Sequence, residues 1–391
     1  MDEARVEQLL KEHATPFYLF DQARLEQRVR TLRETLPGDW SLCYAIKANP
    51  FLVKVLSPLV DRLEICSAGE YAICRDLGLP PRQFVLSGVY KEPRWVAEVV
   101  RQPGGEESIY TVESMEQYRV LQEAARAAGK RLTVLLRLTS GNQFGLEKAE
   151  IQGIFADPAP ELDLLGIQYF SGTQKTSLKR LRRELETVDT FLETLEQTYG
   201  KPIRELEFGP GFPVSYFDEE EGEEEAFLAE AAALLGQLRF RGKRTLELGR
   251  SIAAHCGDYF TRVVDAKTNG GQRYAIVDGG IHQLVYYGQS LAMRQPPVAV
   301  HPPRPAEDPQ PWNLCGSLCT INDILVKQLP LSGLKIGDVL QFKKTGAYCM
   351  TEGIALFLSH ALPKVLLLGS DGQVTTLREE QETYGFNRPN E

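Results

Sequence analysis

The sequence lacks the marks of three large classes of protein. No apolar run is long enough to cross a bilayer, and the acidic N-terminal segment has no basic stretch followed by an apolar core, as a signal peptide would. The net charge of −9 disfavours nucleic acid as a main partner. We therefore expect a cytoplasmic protein that binds neither nucleic acid nor a membrane.

Cysteine and histidine also show no spacing typical of a disulfide-bonded fold or a metal site. The seven cysteines are scattered, odd in number and include no CxxC pair, which indicates reduced thiols and not disulfides or a zinc site. The five histidines show no ligand spacing, so we predict no metal site and interpret them as structural residues whose polar atoms are satisfied.

The first two thirds of the 391 residues alternate short apolar runs with helical patterns. Eight strands in such alternation predict a (β/α)8 TIM barrel. An open doubly wound sheet is the alternative, but no GxGxxG follows the first strand. The predicted strands are Trp40–Ile46, Arg62–Cys66, Gln83–Ser87, Ser108–Val112, Leu132–Leu138, Leu164–Phe170, Arg204–Phe208 and Arg244–Leu248.

Two helices between these strands are well marked. Ser114–Ala128 and Ser177–Tyr199 carry apolar residues at helical spacing, and each is followed by a glycine stop. The acidic run Asp218–Glu225 predicts a solvated loop and a helix start, because acids suit a helix N-terminus.

After Ile252 the pattern changes to short strand-like runs without long helices, which predicts an all-β barrel or sandwich domain. The proline-rich stretch Gln295–Pro311 predicts a long loop inside it. We therefore place the barrel at residues 22–252 and the β domain at residues 1–21 plus 253–391. The predicted strands are Tyr259–Val264, Tyr274–Val277, Ser317–Leu325, Val339–Phe342 and Lys364–Leu368.

Lys47 stands at the end of the first barrel strand, just before Asn49-Pro50 breaks it. Burial disfavours a charged ammonium and lowers its pKa, and a neutral amine can attack a carbonyl to form a Schiff base. A lysine that snorkels at a strand end is the alternative.

Three further strand ends carry candidate groups. Gly209 and Gly211 could let the backbone approach an anion, or form a plain turn. Glu247–Arg250 could hold a cation and a phosphate, or form a surface ion pair. Tyr169–Gln174 could present an aromatic face and then hydroxyl residues to a ligand. Alternatively, its aromatic residues pack in the core and the rest forms a turn.

Six segments together resemble the fold-type III pyridoxal-phosphate enzymes, in particular the ornithine/diaminopimelate decarboxylase group. The resemblance covers nearly the whole chain, and the segments keep the family's order. They are Tyr44–Asn49, Ser67–Glu70, Gly209–Pro213, Glu247–Arg250, Gly316–Cys319 and Gly346–Tyr348.

The resemblance implies pyridoxal 5'-phosphate on Lys47 as a Schiff base, with Glu247 at the pyridine nitrogen. Relatives stack a histidine on the ring, where this chain has Phe170, and Glu64 replaces their usual aspartate. The cofactor-binding residues that the resemblance implies are Lys47, Glu64, Phe170, Thr173, Gly209, Gly211, Glu247, Gly249, Arg250 and Tyr348.

The resemblance further implies a homodimer with shared active sites. Cys319 of one subunit would protonate the carbanion in the partner's barrel after carbon dioxide leaves. A thiol suits this step because an ordinary pKa of about 8.5 leaves it mostly protonated at neutral pH.

The residue after Cys319 bears on the substrate. Relatives that act on basic amino acids or diaminopimelate carry an acid there, and this chain has Thr320, which cannot pair with a distal ammonium. Asp278 and Asp323 remain candidates for that contact. The stretches Phe170–Lys175 and Phe357–His360 resemble a narrower branch that acts on carrier-bound or citrate-conjugated amino acids in natural-product biosynthesis.

Two other functions stay open at this point. Racemases share the cofactor and a similar barrel, but they lack the Gly-x-x-Cys loop that carries Cys319. A non-catalytic regulatory homologue would not need Lys47, Glu247 and Arg250 intact. For a carrier protein, the Arg180–Arg183 cluster offers a basic patch, with a solvated helix face as the alternative.

Overall fold

The computed structural model describes residues 1–217, 223–289 and 291–389. It divides into two compact units. The barrel unit comprises residues 29–214 and 224–252, and the β unit comprises residues 1–28, 215–223 and 253–391. The chain begins with α1 (Glu3–Glu12) and β1 (Phe17–Asp21), followed by α2 (Gln22–Thr35). The Asp21 carboxylate accepts a hydrogen bond from the Arg24 backbone N–H at 3.0 Å, so it caps α2.

Eight parallel strands close into a barrel, with β2 hydrogen-bonded to both β3 and β9. This arrangement confirms the (β/α)8 prediction. The side chains of these strands are almost all buried, as expected when helices cover the outside and side chains fill the interior. The strands are β2 (Trp40–Ala45), β3 (Arg62–Ile65), β4 (Phe84–Leu86), β5 (Ile109–Val112), β6 (Leu132–Leu138), β7 (Leu162–Phe170), β8 (Glu205–Gly209) and β9 (Lys243–Leu248).

Serine caps and glycines mark the ends of two barrel helices. Ser114 and Ser177 cap two of them with side-chain oxygens, and Gly129 and Gly200 end them at φ 63° and 60°. The helices are α3 (Val53–Leu56), α4 (Ala68–Asp76), α5 (Pro93–Arg101), α6 (Met115–Ala128), α7 (Lys148–Ala156), α8 (Leu178–Tyr199), α9 (Glu223–Leu235) and α10 (Arg250–Ala253).

The structure describes only part of the acidic run Asp218–Glu225. Residues 218–222 lie outside the described residues, and α9 begins at Glu223. The predicted helix start is confirmed, although Glu224 in the first turn of α9 is buried.

The β unit is built on one nine-stranded sheet. Its order is β14-β13-β11-β10-β1-β16-β17, with β15 on β10 and β12 on β15. Phe17 of β1 stacks on Phe260 of β10 at 4.8 Å between ring centroids, in a core that α1 helps to cover. The remaining elements are β10 (Gly257–Asn269), β11 (Gln272–Val277), β12 (Val298–His301), β13 (Gln310–Cys315), β14 (Ile324–Leu331), β15 (Val339–Lys343), β16 (Lys364–Leu368), β17 (Val374–Arg378) and α11 (Tyr384–Asn387).

Two boundaries in the β unit differ from the predictions. Of the predicted strand Ser317–Leu325, only Ile324 and Leu325 belong to a strand, β14, and residues 316–323 form a loop between β13 and β14. The predicted loop Gln295–Pro311 instead contains β12 and the first residues of β13. Among the described residues, no helix has both the length and the apolarity to span a bilayer.

Candidate active site

Lys47 lies in a 3-10 turn, Ile46–Ala48, immediately after β2. Because parallel barrel strands end at one mouth, Glu64 of β3 and Glu247 of β9 come to the same place. Lys47 Nζ lies 2.7 Å from Glu64 Oε2 and 3.9 Å from Glu247 Oε1. The Lys47 side chain is 40% exposed, whereas the two carboxylates are 4% and 7% exposed. The amine therefore faces the mouth of the barrel, and the acids lie beneath it.

The two carboxylates differ in their ionisation. Burial raises the pKa of Glu64, but the Lys47 ammonium outweighs it, and the net pKa shift is downward. Burial, and then repulsion from Glu64, raise the pKa of Glu247 well above its ordinary value. Glu64 is thus held as an anion by Lys47, while the anionic form of Glu247 is disfavoured unless a positively charged partner lies beside it.

A polar network inside the barrel supports Glu247. Gln168 of β7 donates to Glu247 Oε2 at 3.2 Å and to Glu207 Oε1 at 2.8 Å. Burial raises the pKa of Glu207 to about 7, and its Oε2 is buried without a hydrogen bond in the described part of the chain. Sequence analysis did not select Gln168 or Glu207. The available signal was a polar residue inside an otherwise apolar barrel strand.

Two loops at the ends of β7 and β8 form a glycine cradle, which we define as residues 171–175 and 209–214. A Cβ on Gly211 would lie 2.0 Å from the Gly172 carbonyl oxygen, and one on Gly209 would lie 2.4 Å from the Phe170 ring. Gly211 also has φ +64°. Only glycine permits this close approach of the two loops.

Arg250 and Thr173 lie together beside the cradle. Arg250 follows Gly249 at the end of β9, is buried, and donates from Nε to Thr173 Oγ1 at 3.3 Å. A guanidinium, a hydroxyl and closely packed glycine backbone form a donor set that suits a phosphate.

Phe170 is half-buried at the end of β7. The Arg137 guanidinium carbon lies 6.0 Å from its ring centroid, and that guanidinium also donates to Glu113 at 2.9 Å. An apolar ring held from one side by a cation can stack on a planar ligand, although it can donate no hydrogen bond.

Cys319 belongs to the β unit, where it is exposed in the loop of residues 316–323. Asp323 organises this loop from inside. Its Oδ1 accepts from the Ile281 backbone N–H at 2.8 Å, and its Oδ2 accepts from the Leu318 N–H at 2.7 Å. The buried aspartate therefore fixes the backbone on which the thiol is presented.

The other candidates in the β unit are also placed by local contacts. Asp278 accepts from the hydroxyls of Thr15 and Thr261, each at 2.6 Å, and from the Arg262 backbone N–H. The Thr320 hydroxyl accepts from the Asn322 N–H at 3.4 Å. Tyr348 is half-buried and has φ +64°, in the left-handed region that non-glycine residues seldom adopt.

Pyridoxal phosphate fits the groups of the barrel unit. Lys47 supplies an amine, the glycine cradle and Arg250 supply an anion site, and buried Glu247 supplies a carboxyl that a protonated ring nitrogen would pair with. Among the described residues, no group of three or more acids, histidines or cysteines is arranged to hold a metal ion.

Known proteins resemble the chain over nearly its full length. A family model, pyridoxal-dependent decarboxylase, C-terminal sheet domain, matches residues 17–346. The diaminopimelate decarboxylase of Aquifex aeolicus is 28% identical, over 97% of this chain and 92% of that protein. The L-glutamyl-(BtrI acyl-carrier protein) decarboxylase of Niallia circulans is 26% identical, over 97% and 94%. The crystal structure of Helicobacter pylori diaminopimelate decarboxylase complexed with L-lysine has a TM-score of 0.84 at 24% identity, covering 97% and 98%.

Proposed function

Because the chain belongs to the pyridoxal-dependent amino-acid decarboxylases, we propose that it removes the α-carboxyl group of an L-amino acid or amino-acid conjugate whose far end carries no free ammonium. The observation that carries the proposal is the cluster of Lys47, Glu64 and Glu247 at the mouth of the barrel. It provides an amine that could carry the cofactor and a buried acid that could pair with its ring nitrogen.

In this proposal the barrel residues hold and orient the cofactor. When bound, pyridoxal phosphate supplies an electron sink for the charge left by departing carbon dioxide. Lys47 would attach it, Glu247 would pair with its ring nitrogen, and Phe170 would pack on its face. The residues that would bind its phosphate are Thr173, Gly209, Gly211, Gly249, Arg250 and Tyr348. Glu64 keeps the amine of Lys47 in place through its 2.7 Å contact.

Cys319 would then supply the proton that replaces the lost carboxyl group. Its thiol is exposed on a loop that Asp323 holds rigid, so it is presented away from its own β unit. In the proposal, the recipient is the barrel of a second copy of the chain, and the functional unit is a homodimer.

The substrate restriction is supported by three side chains. Thr320 brings a neutral hydroxyl to the position where relatives of the basic-amino-acid branch carry an acid. Asp278 and Asp323 are the other candidates to bind a distal ammonium. Asp278 already accepts three hydrogen bonds from its own unit, and Asp323 accepts two. Both carboxylates therefore already have a structural role within their own unit.

A substrate panel tests this function directly. Mass spectrometry would follow loss of carbon dioxide from ornithine, lysine, arginine, diaminopimelate and glutamate, and from glutamyl-carrier and citryl-diamino-acid conjugates. We expect turnover of a conjugate or of glutamate at least tenfold faster than of any free basic amino acid. Faster turnover of a basic amino acid would contradict the restriction, and inversion without loss of carbon dioxide would point to a racemase.

Replacing Lys47 by alanine tests the attachment site. We expect Lys47→Ala to lose the visible absorption band of the lysine-bound cofactor together with decarboxylation, because the amine that would carry the cofactor is removed. Lys54→Ala, which alters an exposed lysine of α3, is the matched control and should keep both. An unchanged band in folded Lys47→Ala would refute the assignment.

A further inference from the structure

We propose that Lys175 is a positioning residue for phosphate binding: with Glu184 and Arg180 it clamps the two loops of the glycine cradle and places one excess positive charge behind them. The inference rests on the cofactor site of the proposed function. It adds a residue, Lys175, that the resemblance to the family did not assign to that site. Lys175, Glu184 and Arg180 belong to the barrel unit, at the end of β7 and in α8.

The side chain of Lys175 runs beneath the cradle. Its backbone N–H donates to the Gly211 carbonyl at 2.9 Å, and a Cβ added to Gly211 would lie 3.0 Å from Lys175 Cε. The ammonium donates to Ser171 Oγ at 2.8 Å and to Glu184 Oε2 at 2.7 Å, and the side chain is only 4% exposed. The stem therefore contacts one loop while the charged end anchors the other.

Gln174 fastens the same two loops at a second point. Its side-chain amide donates to the Val214 carbonyl at 2.9 Å and accepts from the Val214 N–H at 2.7 Å. Gln174 has φ +53°, in the left-handed region. Because this conformation is unfavourable for a non-glycine residue, neighbouring contacts such as those of Lys175 must hold it.

The charges of the clamp do not cancel. Glu184 Oε1 accepts from Arg180 Nε at 2.9 Å, while Oε2 accepts from Lys175. Two cations share one carboxylate, which leaves a net charge of +1. Arg180 also donates to the Ser171 carbonyl at 2.8 Å, so its guanidinium is bound to the clamp. A charge in such a partly buried site is screened less than one on the surface, and it favours an anion at the cradle.

Pyridoxal lacks the phosphate that the cradle would hold, so a change in the cradle acts on pyridoxal phosphate and spares pyridoxal, and a variant that keeps the charge separates the charge of Lys175 from its other contacts. The test compares the affinities of apoprotein for pyridoxal phosphate and for pyridoxal, which lacks the phosphate. Lys175→Met keeps the stem and removes the charge, and Lys175→Arg keeps the charge. Lys201→Met is the control, because among the described contacts the Lys201 ammonium donates to the Phe155 carbonyl, away from the cradle.

We expect Lys175→Met to weaken binding of pyridoxal phosphate at least tenfold and binding of pyridoxal less than twofold, with Lys175→Arg close to wild type. Equal loss for both ligands, or no loss, would overturn the charge role. If Lys175→Met does not fold, Arg180→Gln serves instead, because it removes the other cation from a more exposed position. It should lower the preference for pyridoxal phosphate over pyridoxal severalfold, and an unchanged preference would overturn the proposal.

These measurements separate the inference from the proposed reaction. Ligand affinity is read without turnover, and thermal stabilisation of the apoprotein by inorganic phosphate alone gives a second readout. If phosphate binding depends on Lys175 but no compound of the substrate panel is decarboxylated, only the proposal about the substrate is contradicted. Wild-type protein that binds pyridoxal phosphate no better than pyridoxal would overturn the phosphate site and the role of Lys175.

Discussion

Single buried ionisable residues are satisfied to very different degrees. In the barrel unit, Glu64 and Glu184 each contact a cation within 3 Å. In the β unit, His282 is buried, and neither ring nitrogen has a hydrogen bond within the described residues. The interpretation of the lone histidines as satisfied residues is therefore wrong for His282. A neighbouring ring, that of His360, lies 5.0 Å away between centroids.

This histidine makes stability depend on pH. Burial, and then His360, lower the pKa of His282 from 6.5 to about 4. Between these values the unfolded chain binds more protons, so the free energy of unfolding falls as the pH falls. We expect His282 to account for about 1 kcal/mol of lost stability between pH 7 and pH 5.5.

Urea unfolding at the two pH values measures this loss in wild type and in His282→Phe, which keeps a ring without titrating. The variant should show a smaller loss by about 1 kcal/mol. His301→Gln, in the same unit, is the control and should behave as wild type. An identical pH dependence in wild type and His282→Phe would contradict the prediction.

At the level of elements, caps and glycine stops were the most informative sequence signals. Ser177 and Gly200 delimit α8 almost as predicted, because both signals act within one turn of the helix. The wrong assignment of Ser317–Leu325 has the opposite cause. Apolar residues there suggested a strand, but Asp323 accepts the backbone N–H of Leu318, which a strand would use in a ladder.

Removing that support should release the loop. Asp323→Ala leaves the N–H groups of Ile281 and Leu318 without their acceptor, which costs about 2 kcal/mol of local stability. We expect hydrogen exchange of these two amides to become at least tenfold faster, and proton delivery by Cys319 to become slower. Asp323→Asn, which keeps one acceptor oxygen, should lie between Asp323→Ala and wild type.

Asp265→Ala provides the control, since Asp265 is exposed and pairs only with Lys267 among the contacts described. Unchanged exchange at Ile281 and Leu318 in Asp323→Ala would show that other contacts hold the loop.

At the level of the whole molecule, the two proposed catalytic residues belong to different units, Lys47 to the barrel unit and Cys319 to the β unit. If each active site combines a barrel with the β unit of a partner, a dimer of Lys47→Ala and Cys319→Ala subunits contains one intact site. Random pairing makes half of the dimers mixed, so about a quarter of wild-type activity should return.

Native mass spectrometry would establish that subunits have exchanged before activity is read. Each variant alone should be inactive or strongly impaired. Mixed dimers without recovered activity would contradict a site shared between subunits.

The sequence by itself determined the repeating architecture and the residues at the strand ends. Alternating apolar runs and helical patterns suffice for a (β/α)8 barrel, because burial and periodicity are local properties of the chain. Lys47, Glu247 and Arg250 could be named because parallel strands end at one mouth, so residues distant in sequence were predicted to meet there, whereas Glu64 was named only from the resemblance to the family.

Tertiary structure alone decided which polar groups satisfy one another. Gln168 between Glu207 and Glu247, the Lys175 clamp, and the aspartates occupied by backbone N–H groups depend on contacts across many residues, with no periodic signal in the sequence. The free energy of a buried polar group depends on its partner, and the partner is fixed only when the chain has folded.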